Sequence, residues 1–127
     1  MGNSKNYGGF RDLIVFQKSY RLSLEIFEIT KRFPKEEKYS LIDQIRRSSR
    51  SIPSNIAESW AKRIYPKVFV NKLSDAYGEE LETEVWLDMS KDIKYITQQT
   101  HSKLLNEYEE VRKMLISMMN NPDKFCK

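Results

Sequence analysis

Residues that commonly form turns are scarce in this chain of 127 residues, which contains only four glycines and four prolines. An all-β fold needs a turn about every 8–12 residues, and glycine and proline supply many of those turns. The composition therefore argues against an all-β fold. Cysteine is scarcer still, because Cys126 is the only one and no intramolecular disulfide can form. We interpret it as an exposed thiol in the tail, without a role.

Long apolar segments are also absent. The longest uninterrupted apolar run covers residues 13–16, whereas a membrane span requires about 18 residues. No signal-peptide pattern follows Met1. We therefore expect a cytoplasmic protein that does not contact a membrane.

Charges of both signs are present, and they are separated along the chain. Residues 44–67 contain six basic residues and one acidic residue, whereas residues 75–92 contain seven acidic residues and one basic residue. Two such segments attract each other, either within one chain or between copies.

Apolar residues recur at steps of three and four, the spacing of one face of an α-helix. The pattern predicts a first helix over about residues 12–32, with Asp12 as its N-cap, and a second over about residues 35–63. A third helix should begin at Pro66 and run for about 27 residues, or roughly 40 Å. A fourth should follow the polar residues 97–100 and reach about Met118. The row that predicts the third helix is Val70, Leu73, Tyr77, Leu81, Val85, Met89, Ile93 and Ile96.

Four long helices with short links favour one fold, an all-α, antiparallel, up-down-up-down four-helix bundle over residues 10–120. Residues 1–9 are expected to be a disordered leader, and residues 121–127 a frayed tail.

Pro53 lies inside the second predicted helix. A proline there removes a backbone hydrogen bond and clashes with the preceding turn, at a cost of about 3 kcal/mol. The sequence therefore predicts a bend near Pro53. We expect Asn55 to satisfy the carbonyl that loses its partner.

Two tryptophans stand out because large aromatic side chains remain after one bundle core is filled. We interpret Trp60 and Trp86 as candidates for an interface between copies of the chain. The alternative is that these side chains only widen the core.

Several segments carry a resemblance to a known family. They are RDLIVFQKSYRL from Arg11, FPKEEKYSLIDQIRRSSRSIPSNIAES from Phe33, LSDAYGEELETEVWLDM from Leu73, and IKYI from Ile93. Over about residues 10–118, the chain resembles the 23S rRNA intervening-sequence proteins, also called four helix bundle proteins. The resemblance implies a bacterial protein and an antiparallel bundle that assembles into ring-shaped homo-oligomers, typically pentamers. A related accessory protein of diversity-generating retroelements binds nucleic acid and a reverse transcriptase. No enzymatic activity accompanies the family.

The arginines of the second helix have two interpretations. Arg46, Arg47 and Arg50 share an arc of about 100° beside the apolar stripe. With Lys62 and Arg63 they could form a strip that binds phosphates. Alternatively, they pair with Asp75, Glu79 and Glu82 of the third helix, because a guanidinium holds a carboxylate at two points. Both interpretations remain open.

The sequence offers no set of residues for metal or catalytic chemistry. Glutamates such as Glu79, Glu82 and Glu84 inside a bundle are typical of di-iron proteins, but those also need a Glu-x-x-His motif on two helices. His101 is the only histidine, and no acidic residue precedes it by three positions. We expect an exposed or capping histidine, no metal and no cofactor. Tyr7, Tyr65 and Phe69 are weak candidates for stacking on bases.

The sequence therefore predicts a non-enzymatic, homo-oligomeric bundle. Its expected ligand is RNA, DNA or a nucleoprotein partner, bound through basic residues of the second helix, with no small-molecule substrate. The alternative is a structural or protein-interaction module whose arginines serve contacts within the bundle or between subunits.

Overall fold

The computed structural model describes residues 7–127, and this part of the chain contains no β-strand. Residues 1–6 of the predicted leader lie outside the described residues. The prediction of an all-α four-helix fold is confirmed. The four helices are α1 (Ile14–Thr30), α2 (Leu41–Ala61), α3 (Pro66–Asp92) and α4 (Gln98–Asn120). Single turns of 3-10 helix occur at Phe10–Asp12, Lys35–Glu37 and Pro122–Lys124.

Side-chain pairs show that α2 and α3 run in opposite directions. Arg47 lies 2.5 Å from the carboxylate of Glu82, and Glu58 lies 2.7 Å from Lys72. Residue numbers therefore fall along α3 as they rise along α2.

Helices α1 and α4 also run in opposite directions. Lys18 and Arg21 of α1 each lie 2.9 Å from an acidic residue of α4, Glu110 and Glu107 respectively. In these two pairs the helices alternate in direction, as an up-down-up-down bundle requires.

Two predicted helix starts are wrong. Asp12 does not cap α1, because its carboxylate accepts a hydrogen bond from the backbone N–H of Gly8 at 2.6 Å. The second helix begins at Leu41 instead of near residue 35. The carboxylate of Glu37 accepts hydrogen bonds from the Ser40 hydroxyl at 2.6 Å and from the Leu41 backbone N–H at 3.4 Å, so a separate turn precedes α2.

Helix α3 covers the 27 residues expected and ends in a Schellman motif. Lys94 adopts a left-handed conformation with φ 69°, the only positive φ among the non-glycine residues that the structure describes. Its N–H donates to the Lys91 carbonyl at 2.9 Å, and the N–H of Tyr95 donates to the Ser90 carbonyl at 2.8 Å. Thr97 then caps α4 by accepting a hydrogen bond from the Thr100 N–H at 3.0 Å.

Helix α2 continues through Pro53 without interruption. Proline has no N–H, so the carbonyl without its helical partner is that of Ser49. Asn55 does not bond to that carbonyl, because its side-chain amide donates to the Ser51 carbonyl at 2.9 Å. The Ser51 hydroxyl donates to the Arg47 carbonyl at 2.8 Å. The residues around Pro53 therefore add one hydrogen bond to the turn before it and one to the turn that contains it.

The core lies along the bundle axis, and its aliphatic side chains come from all four helices. Where α2 and α3 meet, small polar residues replace large apolar ones. Ser48 and Thr83 are fully buried there, and their hydroxyls lie 2.8 Å apart. Fully or almost fully buried aliphatic side chains include Leu22, Ile26, Ile45, Ile52, Ile56, Leu73, Leu104, Val111 and Leu115.

The apolar row that predicted α3 is not the buried face of that helix. Steps of four residues advance about 40° around a helix, so such a row drifts from one face to the next. The row enters the core at Leu73, emerges on the outer face and returns to the core at Ile96. Its exposed part is Leu81, Val85, Met89 and Ile93, which are 41–49% exposed and which we call the outer apolar row. The buried face consists of Phe69, Leu73, Ala76, Glu80, Thr83, Leu87 and Ser90.

The C-terminal residues, which we expected to form a frayed tail, include an aromatic side chain that packs against the bundle. The ring of Phe125 lies 6.1 Å from that of Tyr7 and 6.1 Å from that of Phe69. Tyr7 also meets Trp60 edge-on at 5.5 Å. These four aromatic side chains form a cluster at one end of the bundle. Burial raises the pKa of the half-buried Cys126 thiol, which is therefore not the exposed group we expected.

Within residues 7–127, no helix combines the length and the hydropathy that a bilayer-spanning segment needs.

Candidate nucleic-acid interface

The outer face of α2 and the turn before it form an open groove, which we call the α2 groove. Its volume is about 610 Å³. Basic residues, hydroxyls and one aromatic ring line it, and one acidic residue lies among them. The lining includes Lys38, Tyr39, Asp43, Arg46, Arg50 and Ser54.

Arg46 is held against the last turn of α1. Its Nε donates to the hydroxyl of Thr30 at 2.8 Å, and its Nη2 lies 3.4 Å from the carbonyl of Phe27. The guanidinium carbon stands 4.5 Å from the centre of the Phe27 ring, a distance at which cation and ring attract each other. These contacts fix the position of the charge. A guanidinium has five N–H groups, so others remain free to donate to a ligand.

Arg47 belongs to the contact between α2 and α3. Its guanidinium lies 2.5 Å from Glu82 and 3.7 Å from Glu79. Burial raises the pKa of the Glu79 carboxyl, and the Arg47 charge opposes that increase. Arg47 lines the groove, but two carboxylates share its charge. Of the three arginines, Arg47 is therefore the least available to a ligand.

Arg50 is exposed, and of the three arginines in the groove it is the one without an ion pair or a side-chain hydrogen bond in residues 7–127. Its guanidinium carbon lies 5.6 Å from the Phe27 ring centre. No carboxylate of residues 7–127 lies within ion-pair distance of it, whereas Arg47 three residues earlier pairs with two carboxylates of α3. Arg50 therefore presents an unneutralised charge to the groove.

Lys62 and Arg63 lie away from the groove, about 24 Å along the axis from Arg46 if the helical rise continues to residue 62. Arg63 donates to the Trp60 carbonyl at 2.9 Å, and its guanidinium lies 3.8 Å from the centre of the Trp60 ring. Lys62 is exposed. The predicted strip is therefore divided, and only its first half shares a surface with the groove.

The remaining sequence candidates lie in three different environments. Asp75 pairs with Lys72 at 3.9 Å and not with an arginine of α2. Trp60 is buried in the aromatic cluster, so it cannot serve as the interface residue we expected. Trp86 is half-buried beside the outer apolar row, and its Nε1 donates to Glu82 at 3.1 Å.

The aromatic candidates for base stacking also differ in exposure and position. Phe69 is fully buried, and Tyr7 packs on Trp60. Tyr65 is 59% exposed, but it precedes α3 at the other end of α2. Tyr39 is 85% exposed and lines the groove, yet sequence reasoning missed it. Two features of the sequence could have indicated Tyr39, namely its position outside the apolar period of α2 and its position directly after Lys38.

A buried carboxyl lies in the core between α3 and α4. Glu80 has no exposed surface, and neither of its carboxylate oxygens has a hydrogen-bond partner. Burial, followed by the proximity of Glu84, raises the pKa of Glu80 to about 9, although the Arg112 charge opposes the shift. Arg112 binds Glu84 at 2.6 Å. Tyr108 is fully buried nearby, and burial raises its pKa. Glu80 is therefore a neutral acid at pH 7.

Metal-binding residues do not converge in the part of the chain that the structure describes, where no three acidic, histidine or cysteine side chains could hold an ion together. His101 is 6% exposed, and its Nε2 lies 2.7 Å from Asp88. The expectation of an exposed or capping histidine is thus wrong, because the side chain of His101 turns towards α3 and links the two helices.

Comparisons with known proteins agree with this fold. The family model for the 23S rRNA-intervening sequence protein matches residues 11–117. The chain is also similar to a crystal structure from Bacteroides thetaiotaomicron, described as a protein of unknown function from the S23 ribosomal protein family. The two are 32% identical and superpose with a TM-score of 0.75, over 84% of this chain and 96% of that one. A comparison with curated proteins finds no match.

Proposed function

The chain belongs to the 23S rRNA-intervening sequence protein family, and from that premise we propose that it is a non-enzymatic bundle that binds nucleic acid through the α2 groove. One observation carries the proposal. Arg50 is an exposed cation without a carboxylate partner in residues 7–127, and it lies in the same groove as Arg46 and Lys38. A polyanion would supply negatively charged partners for these side chains.

The proposed mechanism is electrostatic. Lysine and arginine side chains that neutralise phosphates release bound counterions, which makes the affinity fall as salt rises. Because Arg47 is shared by two carboxylates, Lys38, Arg46 and Arg50 are the three cations that the groove of each chain has available. For three contacts to a single strand, log K should fall with log salt at a slope of about −2 per chain.

The test compares two variants with the same change of charge. Lys38→Glu with Arg50→Glu changes the groove, whereas Lys103→Glu with Lys113→Glu changes exposed lysines of α4 that are 69% and 72% exposed. Binding of a labelled 20-nucleotide RNA is measured at two salt concentrations by fluorescence anisotropy. We expect the groove variant to lose at least tenfold in affinity and the α4 variant to lose much less. Equal losses would show that only the net charge matters and would contradict the proposal.

Self-association is the second part of the proposal, and the outer apolar row supports it. Four exposed apolar side chains at consecutive steps of four make a continuous ridge, and Trp86 lies next to it. Burying such a ridge against another copy would remove apolar surface from water. Repetition of the α2 groove in an oligomer would also strengthen binding to a long polyanion. The number of five subunits rests on the family resemblance.

The alternative is a structural or protein-interaction module. It is favoured by the bonds that Arg46 and Arg47 make within the bundle, to Thr30 and Glu82 respectively. In that case the groove variant would keep any affinity for RNA unchanged and would lose a protein partner instead. The anisotropy experiment separates the two functions.

A further inference from the structure

We propose that the ligand of the α2 groove is a single-stranded nucleic acid, one base of which stacks on Tyr39. The inference rests on the proposed function and adds the class of nucleic acid to it. It depends on the position and exposure of one aromatic ring, and not on the cations alone.

Tyr39 is the most exposed of the large apolar side chains described. It is 85% exposed, compared with 59% for Tyr65 and 51% for Tyr20. Lys38 is a close neighbour, with its Nζ 5.3 Å from the ring centre. By contrast, Tyr7 is packed into the aromatic cluster. The fold therefore gains little from the ring of Tyr39, and the ring is accessible to a ligand.

The ring and the cations lie along one groove. Tyr39 precedes α2, and Arg46 and Arg50 follow on its outer face, one turn and about 6 Å apart along the axis. A strand that passes along the groove would meet an aromatic platform first and then two guanidinium groups. An aromatic platform beside a row of cations is the arrangement that proteins use to bind single strands.

A duplex cannot use this platform without distortion. Its bases are stacked on one another, and exposing the face of one base costs the stacking and pairing energy of that step. A single strand presents its base faces without that cost, and every base has a face that can stack. Asp43 also favours a single strand, because a carboxylate repels phosphates but accepts hydrogen bonds from the amino groups of exposed bases.

An acidic peptide is the competing ligand. It would satisfy Arg46 and Arg50 equally well, but it offers Tyr39 no base to stack on. The exposed tyrosine therefore favours nucleic acid, and the peptide becomes one arm of the test.

The experiment uses the full chain and four labelled probes. These are a mixed-sequence 20-nucleotide RNA, its 20-base-pair duplex, an abasic 20-mer with the same phosphates, and a 20-residue polyglutamate. The proteins are the wild type, Tyr39→Ala, Tyr39→Phe and, as a matched control, Tyr65→Ala. Thermal unfolding of each variant is recorded alongside.

We expect Tyr39→Ala to weaken binding of the single strand about 5- to 150-fold, which corresponds to about 1–3 kcal/mol for one stacked base. Binding of the duplex and of the abasic strand should not change. Tyr39→Phe should bind like the wild type because it keeps the ring, and so should Tyr65→Ala.

Two results with the nucleic-acid probes would overturn the inference while leaving the proposed function intact. One is that Tyr39→Ala binds the single strand as tightly as the wild type does. The other is an equal affinity of the wild type for single strand and duplex. If polyglutamate binds as tightly as the RNA, the groove recognises charge alone and the stacking is refuted. If no nucleic acid binds in a salt-dependent way, the proposed function itself fails.

Discussion

Ser48 on α2 and Thr83 on α3 place their hydroxyls 2.8 Å apart at a point where neither residue has any exposed surface. The Thr83 hydroxyl also lies 2.9 Å from the carbonyl of Glu79. Small side chains at this level let the two helices approach closely, and the shared hydrogen bond satisfies polar groups that would otherwise be buried alone. The contact therefore depends on the size of Ser48 as well as on its hydroxyl.

Enlarging Ser48 should separate α2 from α3. We expect Ser48→Leu to lower the free energy of unfolding by about 1–3 kcal/mol, because extra methylenes in a packed contact force side chains or backbone to shift. Urea denaturation followed by circular dichroism measures the change. Ser54→Leu is the control, since Ser54 is exposed on the same helix. Similar stabilities for the two variants would contradict the close approach.

Replacing Lys94 with glycine should stabilise the protein. Lys94 occupies a left-handed conformation, which costs an L-residue roughly 1–2 kcal/mol, whereas glycine adopts it readily. We expect Lys94→Gly to raise the free energy of unfolding by about 1 kcal/mol. In contrast, Lys91→Gly lies within α3 and should lower it by about 0.5–1 kcal/mol. Chemical denaturation of both variants gives the signs, and a loss at both positions would contradict the strain at Lys94.

Glu80 should make the protein less stable as the pH rises. Its pKa in the folded state is about 9, well above the ordinary value of 4.5. Between these two values the folded state holds a proton that the unfolded state has released, so stability falls with increasing pH, and the fall ends above about pH 9. Below about pH 4.5 the group is protonated in both states, and its contribution to stability is fully present.

The measurement is the melting temperature from pH 5 to pH 9. Glu84, Tyr108 and Arg112 lie close to Glu80 in both proteins compared, so the informative quantity is the difference between the two pH profiles. We expect Glu80→Gln to flatten the profile, because a neutral amide cannot ionise. The control, Glu36→Gln, changes an exposed side chain and should follow the wild type. A Glu80→Gln profile as steep as that of the wild type would contradict a buried neutral acid.

Charges placed on the outer apolar row should dissociate the proposed oligomer. Val85 and Met89 are 48% and 47% exposed, so Val85→Glu with Met89→Glu should leave the monomer folded. Sedimentation velocity is expected to show the variant as a monomer and the wild type as a larger species. Ile14→Glu is the control, because Ile14 is 67% exposed on a different helix. A wild type that sediments as a monomer would remove the proposal of self-association.

The number and order of the helices could be predicted from sequence, because apolar periodicity is strong in α1, α2 and α4. For α3, periodicity predicted the wrong buried face. Glu80, Thr83 and Ser90 lie on the buried face of this helix, and several apolar residues lie outside it. Burial there is decided by tertiary contacts. The Ser48–Thr83 contact and the Arg112–Glu84 pair occupy sides of the helix that the apolar pattern does not mark.

The candidate site was predictable only in part. The composition of the sequence identified the arginines, but their partners depend on which helix each one faces. Arg46 and Arg47 are adjacent in sequence and lie about 100° apart on α2, so one contacts α1 and the other α3. Tyr39 was missed because only the structure shows that the turn before α2 continues the same surface.

The stacking of Tyr7 on Phe125, with ring centres 6.1 Å apart, brings the two ends of the described chain together at one pole of the bundle. The link between α3 and α4 lies in a short turn at the opposite pole. A circular permutant that joins residue 127 to residue 1 and opens the chain between α3 and α4 would therefore keep all four helices in place. It would also move the free ends to the pole where Tyr95 contacts Glu37 and leave the aromatic pole covalently closed.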